Sequence, residues 1–145
     1  IDFDTRDLRR ELEKSGYSPN QKTLFILEGV TQYIQPEANE ANFRYISGCG
    51  RGSRVVFTYI LRSFIEGTSH QGRKWAIMRR QVLKKDNPLW VTGYSREDIT
   101  SLVKSFGLKI IEDIGKDEYI ERYIKPAGRE IPLMDFERIV LAEVK

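Results

Sequence analysis

Cysteine is nearly absent from this 145-residue chain, since Cys49 is its single cysteine. One cysteine excludes an internal disulfide and any multi-cysteine zinc site, and it is typical of a reducing, cytoplasmic setting. The sequence also lacks an apolar run of the roughly 20 residues that a membrane-spanning helix requires. The opening segment IDFDTRDL is acidic and mixed, unlike a signal peptide. We therefore expect a cytoplasmic protein without a membrane segment.

An excess of charge of one sign is lacking as well. The chain has 24 Lys and Arg against 21 Asp and Glu, which gives a formal net charge of +3. This weak basic bias falls short of the footprint of a nucleic-acid-binding protein. Hydrophobic residues make up 40% and charged residues 31% of the chain, which is ordinary for a globular protein. The length predicts one domain over residues 1–145.

Apolar periodicity predicts helices and strands in alternation. The predicted helices lie around residues 6–16, 36–46, 73–85 and 95–106, and the predicted strands lie at 23–27, 54–60, 108–114 and 137–144. Strands that alternate with helices of this length favour right-handed βαβ units and a largely parallel sheet. The last two strands have no helix between them, so we expect them to form an antiparallel pair at one side.

Local patterns add detail to these elements. Asp4 or Thr5 is expected to cap the first helix, and Ser95 with Asp98 has capping-box-like spacing at the start of the last one. The continuous apolar run TLFIL is typical of a strand covered on both faces. The second helix has four residues at helical spacing that we expect to share one face: Ala38, Ala41, Tyr45 and Ile46.

The stretch TLFILEGVTQYI ends its apolar run on an acid, Glu28, followed by Gly29. In open α/β sheets, ligands bind beyond the carboxyl ends of the strands, and glycine allows another group to approach the backbone closely. Position alone leaves two interpretations of Glu28. Its carboxylate could face a ligand, or it could cap a neighbouring helix or pair with an arginine at the rim.

Three blocks, TLFILEGVTQYI, EANFRYI and GSRVVFTYI, resemble the leucine carboxyl methyltransferase-like family of S-adenosylmethionine-dependent O-methyltransferases. The segments IDFDTRDLRRELEKSGYSPNQKTLF and NPLWVTGYSREDITSLVKSFGLKIIEDIG resemble the family's flanking units, so the likeness covers nearly the whole chain. It implies the C-terminal half of a Rossmann-like α/β methyltransferase fold. This half has a mostly parallel sheet that ends in an antiparallel strand pair, with a helical lid insertion over residues 61–94.

The family also carries a glycine-rich cofactor loop after its first strand, which this sequence lacks. The stretch GCGRGS follows a predicted helix rather than a strand, so it cannot serve as that loop. We therefore interpret the chain as the C-terminal part of a methyltransferase domain, and we expect these 145 residues alone to be inactive.

The resemblance implies S-adenosylmethionine as the cofactor and assigns residues to it. Asp2 would accept a hydrogen bond from the adenine amine, with Phe3 bordering the base. Glu28 and Gly29 would lie beside the methionine or sulfonium portion. A structural alternative stays open for Asp2, which could simply begin a helix cap.

The resemblance also points to residues on the acceptor side. Tyr33 would face the transferring methyl group or the substrate as the catalytic candidate, although it could equally be a core aromatic residue. Tyr59 ends the next strand, and Arg62 and Arg79 could hold an acidic substrate, since a guanidinium matches the geometry of a carboxylate. A basic run is more often a solvated face.

The implied acceptor is a carboxylate or hydroxyl of a small molecule or peptide, and the oligomeric state stays open. The alternative function is a non-enzymatic basic α/β module that binds nucleic acid or another acidic partner through GRKWAIMRRQVLKK. Aromatic and basic residues do not alternate on the strands, which disfavours nucleic acid. His70 has no Cys, Asp or Glu at ligand spacing, so we expect no metal site.

Overall fold

The structure is a computed structural model that describes residues 2–3, 5–78, 81 and 89–145. Its elements follow in the order α1 (Leu8–Lys14), β1 (Leu24–Leu27), α2 (Pro36–Ser47), β2 (Arg54–Ile60), α3 (Arg62–Ile65), α4 (His70–Met78), α5 (Arg96–Ser105), β3 (Leu108–Ile114), α6 (Lys116–Tyr119) and β4 (Glu137–Val144). A π-helical turn, Ile120–Ile124, continues α6. None of the described helices is long and apolar enough to cross a membrane.

The four strands form one mixed sheet in the order β1–β2–β4–β3. Strand β1 is parallel to β2, and β4 is antiparallel to both β2 and β3. The carboxyl ends of β1, β2 and β3 therefore lie at one edge of the sheet, where β4 begins. The predicted antiparallel pair of β3 and β4 is confirmed. The pair lies at one side of the sheet, as expected, with β3 at the edge and β4 between β2 and β3.

The core lies where α2 and α5 pack on the sheet. Phe43 and Ile46 of α2 and Ile99 and Val103 of α5 are fully buried. They meet alternate residues of the central strands, which point to one face because successive strand residues alternate. The fully buried strand residues of this cluster are Val55, Phe57, Tyr59, Val140 and Ala142. The two central strands thus carry most of the apolar burial.

The buried face of α2 differs from the expected one. It consists of Asn39, Asn42, Phe43 and Ile46, whereas Ala41 is exposed. The expectation failed because a polar residue occupies the core side of the helix. The amide of Asn39 donates a hydrogen bond to the carbonyl of Thr31 at 2.8 Å, which satisfies this polar group in the interior.

Strand β1 is covered on one face rather than on both. Leu24 is 57% exposed and Ile26 is 63% exposed, while Leu27 is buried. Strand β1 is an edge strand of this sheet, and the described elements leave that face of it uncovered. The expectation of a strand covered on both faces is therefore wrong for β1.

The structure corrects the predicted cap of the first helix and confirms the predicted capping box of α5. Helix α1 is capped by Asp7, whose Oδ1 accepts from the backbone N–H of Arg10 at 2.9 Å; Thr5 does not cap it, and Asp4 lies outside the described residues. The capping box of α5 is confirmed. Ser95 Oγ accepts from the N–H of Asp98 at 3.1 Å, and Asp98 Oδ2 accepts from the N–H of Ser95 at 2.9 Å. These hydrogen bonds hold the pKa of Asp98 below its usual value.

We expect Ser95→Ala to lower the free energy of unfolding by about 1 kcal/mol, because it removes a hydrogen bond to a helix N–H that has no partner inside the helix. The matched control is Ser101→Ala in the exposed middle of the same helix, which should change stability by less than about 0.5 kcal/mol. Urea denaturation of the three proteins provides the measurement. Equal stability of the two variants would contradict this role of Ser95.

Candidate active site

The turn after β1 is anchored to β2 at the carboxyl edge of the sheet. The N–H of Gly29 donates to Oγ1 of Thr58 at 2.9 Å, and Oγ1 of Thr31 donates to the carbonyl of Thr58 at 2.6 Å. Gly29 has φ = 64°, a backbone conformation that favours glycine. The chain therefore turns sharply at Gly29 and leaves the side chain of Glu28 at the strand end.

The segment before α5 lies across this turn. The carbonyl of Gln32 accepts from the N–H of Val91 at 2.8 Å. Oγ1 of Thr92 donates to the carbonyl of Ile34 at 2.6 Å. The N–H of Tyr94 donates to the carbonyl of Ile60, at the end of β2, at 3.0 Å. The last part of the segment 61–94 is thus fixed to the carboxyl ends of both β1 and β2.

A cavity of about 330 Å³, here called the Glu28 cavity, opens at this edge. Its lining residues are Glu28, Thr58, Ile114, Gly115, Lys116, Tyr119, Pro132, Leu133, Met134, Glu137 and Ile139. The side chain of Glu28 is exposed and has no hydrogen bond or ion pair to any other described residue. Within the described part of the chain, the alternatives of a helix cap or a rim ion pair therefore do not account for this carboxylate.

A second carboxylate, Glu137, lines the same cavity. Sequence reasoning missed this residue, because the first residue of a strand normally lies away from the ligand edge. Strand β4 runs against its neighbours, so its first residue, Glu137, lies where the other strands end. The signal in the sequence was the absence of a helix between the last two strands, which already indicated a reversed strand.

A wider cavity of about 660 Å³, here called the aromatic cavity, adjoins the Glu28 cavity, because Met134 and Glu137 line both. Its lining residues are Gln32, Tyr33, Ile60, Phe64, Gln71, Lys74, Trp75, Met78, Trp90, Met134, Phe136 and Glu137. Tyr33 is 49% exposed, so the catalytic candidate faces a cavity rather than the core. A depression of about 680 Å³ between α1 and α2 lies away from the strand ends.

Tyr59 lies beneath this edge in the core. It is fully buried, and its hydroxyl donates to Asp113 Oδ2 at 3.2 Å. Burial, together with the charge of Asp113, raises the pKa of the Tyr59 hydroxyl above its ordinary value. Tyr59, which was predicted to contact the substrate, lines neither of the two cavities.

Asp113 is the centre of a buried polar network at the end of β3. Arg138 donates from Nε to Asp113 Oδ1 at 2.8 Å and from Nη2 to the carbonyl of Asp113 at 2.9 Å. Both side chains are only about a tenth exposed. Burial alone would lower the pKa of Arg138, but the hydrogen bond and charge of Asp113 outweigh it and raise that pKa. This pair fixes the start of β4 next to the Glu28 cavity.

We expect Asp113→Ala to lower the free energy of unfolding by roughly 3–5 kcal/mol, because it leaves the buried guanidinium of Arg138 unpaired. The neighbouring Glu112 forms a more exposed ion pair with Arg122. Glu112→Ala should therefore cost less than about 1 kcal/mol. Thermal or chemical denaturation distinguishes the two variants. Similar losses of unfolding free energy in both variants would show that the buried pair stabilises the fold no more than the exposed pair does.

The remaining predicted residues are not brought to these cavities. The carboxylate of Asp2 accepts a hydrogen bond from Thr5 Oγ1 at 2.7 Å, and neither Asp2 nor Phe3 lines the Glu28 cavity. Nη2 of Arg62 pairs with Oδ2 of Asp98 at 2.9 Å. Arg79 lies outside the described residues.

The glycine-containing turn GCGRGS follows α2 and precedes β2, so it lies at the opposite edge of the sheet from the two cavities. Gly50 donates from its N–H to the carbonyl of Pro19 at 2.7 Å. A Cβ at Gly50 would lie 2.8 Å from the carbonyl oxygen of Asn20. The glycine allows two loops to pack closely, and this turn has no part in the candidate site.

Comparison with known proteins supports the resemblance drawn from the sequence. The family model described as leucine carboxyl methyltransferase matches residues 1–47. Among curated protein sequences, none matches the chain significantly. The resemblance to leucine carboxyl methyltransferase-like proteins is thus confirmed over the segment that holds α1, β1, the turn after it and α2.

Solved structures define the fold class of the chain. A SAM-dependent methyltransferase from Methanosarcina mazei superposes with a TM-score of 0.56 at 7% identity, over 88% of this chain and 61% of that one. An O-methyltransferase family 2 protein from Planctomyces limnophilus, in complex with apigenin, has a TM-score of 0.51 at 14% identity. The match covers 100% of this chain and 33% of that one. Magnesium protoporphyrin IX methyltransferase from Synechocystis, with bound SAH, has a TM-score of 0.50 at 10% identity. The match covers 94% of this chain and 57% of that one.

These likenesses show that the chain has the α/β fold of SAM-dependent methyltransferases, as the sequence predicted. The identities are too low to show more than the fold. The chain spans about three fifths or less of the length of these three neighbours. None of the comparisons supports the alternative of a nucleic-acid-binding module.

Proposed function

We propose that the chain forms part of an S-adenosylmethionine-dependent O-methyltransferase that acts on a carboxylate or hydroxyl group of a small molecule or peptide. The observation that carries the proposal is the unpaired carboxylate of Glu28. It follows β1 at the carboxyl edge of a methyltransferase fold and lines a cavity. A solvent-accessible acid at this edge suits a positively charged ligand such as S-adenosylmethionine.

The residues around Glu28 fit such a cofactor. Nothing lies within 4 Å of the position that a Cβ would take at Gly29, so the backbone beside the carboxylate is open to a bound group. Among the described residues that line the cavity, two are acidic, Glu28 and Glu137, and one is cationic, Lys116. The balance of charge is therefore negative, which favours the cationic methyl donor over its neutral product.

S-adenosylmethionine would supply an electrophilic methyl group, whose bond to sulfur breaks as the acceptor oxygen bonds to its carbon. The protein's part is to align the acceptor and exclude water. Tyr33 and Glu137 line the aromatic cavity and are placed to contact the acceptor. A carboxylate acceptor needs no base, whereas a hydroxyl acceptor would release its proton to Glu137, which also borders the Glu28 cavity.

The segment 61–94 would act as the lid of the acceptor site. Its residues Phe64, Trp75 and Trp90 line the aromatic cavity, and its end is hydrogen-bonded to the turn after β1. Because the chain spans only part of its structural neighbours, the glycine-rich cofactor loop would belong to the remainder of a complete enzyme. We therefore expect the 145 residues alone to be inactive. A complete enzyme with a small-molecule acceptor is consistent with the neighbour that binds apigenin.

The test is calorimetric titration of the gene product that contains this chain with S-adenosylmethionine and with S-adenosylhomocysteine. We expect Glu28→Gln to weaken binding of the cationic cofactor roughly 10- to 100-fold, because the variant loses a charge-assisted contact. A smaller loss for the neutral product would place the carboxylate near the sulfonium rather than near the amino group, which both compounds share.

The matched control is Glu66→Gln, at an exposed acid that lines neither cavity. It should bind both compounds as the wild type does. Equal affinity of the wild type and the Glu28 variant for S-adenosylmethionine would remove Glu28 from the site. Failure of the unaltered gene product to bind S-adenosylmethionine at millimolar concentration would overturn the proposed function.

A further inference from the structure

We propose that the aromatic cavity selects a flat aromatic acceptor that carries both a hydrogen-bond donor and a hydrogen-bond acceptor. The inference rests on the proposed function, because it assigns a substrate class to the acceptor side of that site. Two features carry it: a cluster of four aromatic rings in one cavity, and two polar atoms in the same lining that have no hydrogen-bond partner among the described residues.

Three of the pairs that these rings form lie at low angles, whereas Trp90 is tilted by 52° against Phe64 and by 46° against Phe136. Phe64 and Phe136 stack with centroids 3.7 Å apart and an interplanar angle of 22°. Trp75 and Trp90 stack at 5.8 Å and 25°, and Trp75 lies at 27° to Phe64. Roughly parallel rings offer flat surfaces, and a planar ligand gains offset stacking on them that a puckered aliphatic ligand of the same size lacks.

The burial of these rings leaves room for such a ligand. Phe64 is 3% exposed and forms the base of the cluster, whereas Trp75, Trp90 and Phe136 are half-buried. A cavity of about 660 Å³ lies within the range of roughly 300–1,000 Å³ that is typical of small-molecule sites. A molecule of two or three fused rings is therefore of suitable size.

The cavity lining also contains an unused donor and an unused acceptor. Within the described part of the chain, Oε1 of Gln32 and Nε1 of Trp90 are buried and have no hydrogen-bond partner, although both residues line the cavity. Unpaired buried polar atoms are rare and costly. Gln32 Oε1 requires a donor such as a hydroxyl, and the Trp90 N–H requires an acceptor such as a carbonyl. Small rotations of these two side chains on ligand entry would let one polar aromatic molecule satisfy both.

The position of the cavity orients this ligand towards the methyl donor. Met134 and Glu137 line both the aromatic cavity and the Glu28 cavity. An aromatic ring held by the four-ring cluster can therefore extend its reacting oxygen past Glu137 towards Glu28. Among the described residues that line the aromatic cavity, Lys74 is the one cationic side chain, so this described part of the lining contains no paired guanidinium groups of the kind that hold a carboxylate.

The proposal is tested with 7-hydroxycoumarin, a flat two-ring compound with one hydroxyl donor and one carbonyl acceptor. Trp75 and Trp90 are the two tryptophans of the chain, and both line the cavity. Energy transfer from tryptophan to the bound coumarin therefore reports occupancy directly, without cofactor or methyl transfer. We expect saturable transfer, displacement by 2-naphthol, and at least tenfold weaker displacement by the saturated decahydro-2-naphthol.

Two substitutions examine the separate features by calorimetry with the same probe. Trp90→Phe keeps a ring but removes the N–H donor, and it should weaken binding about 3- to 10-fold. Trp75→Ala removes a stacking surface and should weaken it by at least a similar factor. The matched control is Ile77→Ala on the same helix, at a residue that is 57% exposed and outside the cavity lining. It should bind as the wild type does, and circular dichroism verifies that each variant is folded.

The outcomes separate this inference from the proposed function. Absence of energy transfer, or equal displacement by the flat and saturated competitors, would overturn the aromatic acceptor even where S-adenosylmethionine binds in a Glu28-dependent manner. Aromatic binding that depends on Trp75 and Trp90, in a protein that binds no S-adenosylmethionine, would support the cavity and overturn the methyltransferase proposal instead.

Discussion

Two hydrogen bonds to Thr58 hold the turn after β1, and the geometry of the whole cleft depends on them. Gly29 donates to its hydroxyl and Thr31 donates to its carbonyl. Glu28 lies immediately before this anchored segment and Gln32 immediately after it. The carboxylate and the wall of the aromatic cavity are therefore fixed relative to β2. Without this attachment the turn would be an ordinary surface loop, and the two cavities would have no defined separation.

The reversed strand β4 is the second constraint on the cleft. Because it pairs with both β2 and β3, it brings Glu137 to the edge where the parallel strands end. The bond between Arg138 and Asp113 fixes the same point from the side of β3. Interior polar contacts of this kind are strong only when every partner is present. The geometry of the candidate site and the stability of the fold are thus coupled at the first two residues of one strand.

The strands and the antiparallel pairing of the last two were predictable from the sequence, whereas the order of β3 and β4 within the sheet was not. The bounds of β2, β3 and β4 agree with the predicted ranges, because β-branched and aromatic runs bounded by turn residues are strong local signals. The position of β4 inside the sheet, the Asn39 side of α2 and the open face of β1 depend on contacts between distant segments. Local patterns do not contain that information.

The candidate site likewise has features that the sequence predicts and features that only the fold reveals. Glu28 was identifiable because an acid directly after an apolar strand is visible in the sequence. The partners of Tyr59 and Arg62, which are Asp113 and Asp98, were not identifiable because they are distant in sequence. The sequence does not indicate that Gln32 and Trp90 lie in one cavity, since only the fold brings the segment 89–94 onto the turn after β1. Their unpaired atoms are visible only in three dimensions.

The exposed connection between the π-helical turn and β4, residues 125–136, contributes Leu133, Met134 and Phe136 to the two cavities. The pairing of β2 with β4 begins at Glu137, next to a hydrogen bond from the N–H of Leu61 to the carbonyl of Phe136, so changes at Leu133 and Met134 would leave these hydrogen bonds intact. Surface connections accept insertions and substitutions at little thermodynamic cost. Substitutions in this one short loop would therefore change which molecules the two cavities accept, while the strands next to Glu28 and Glu137 stay unaltered.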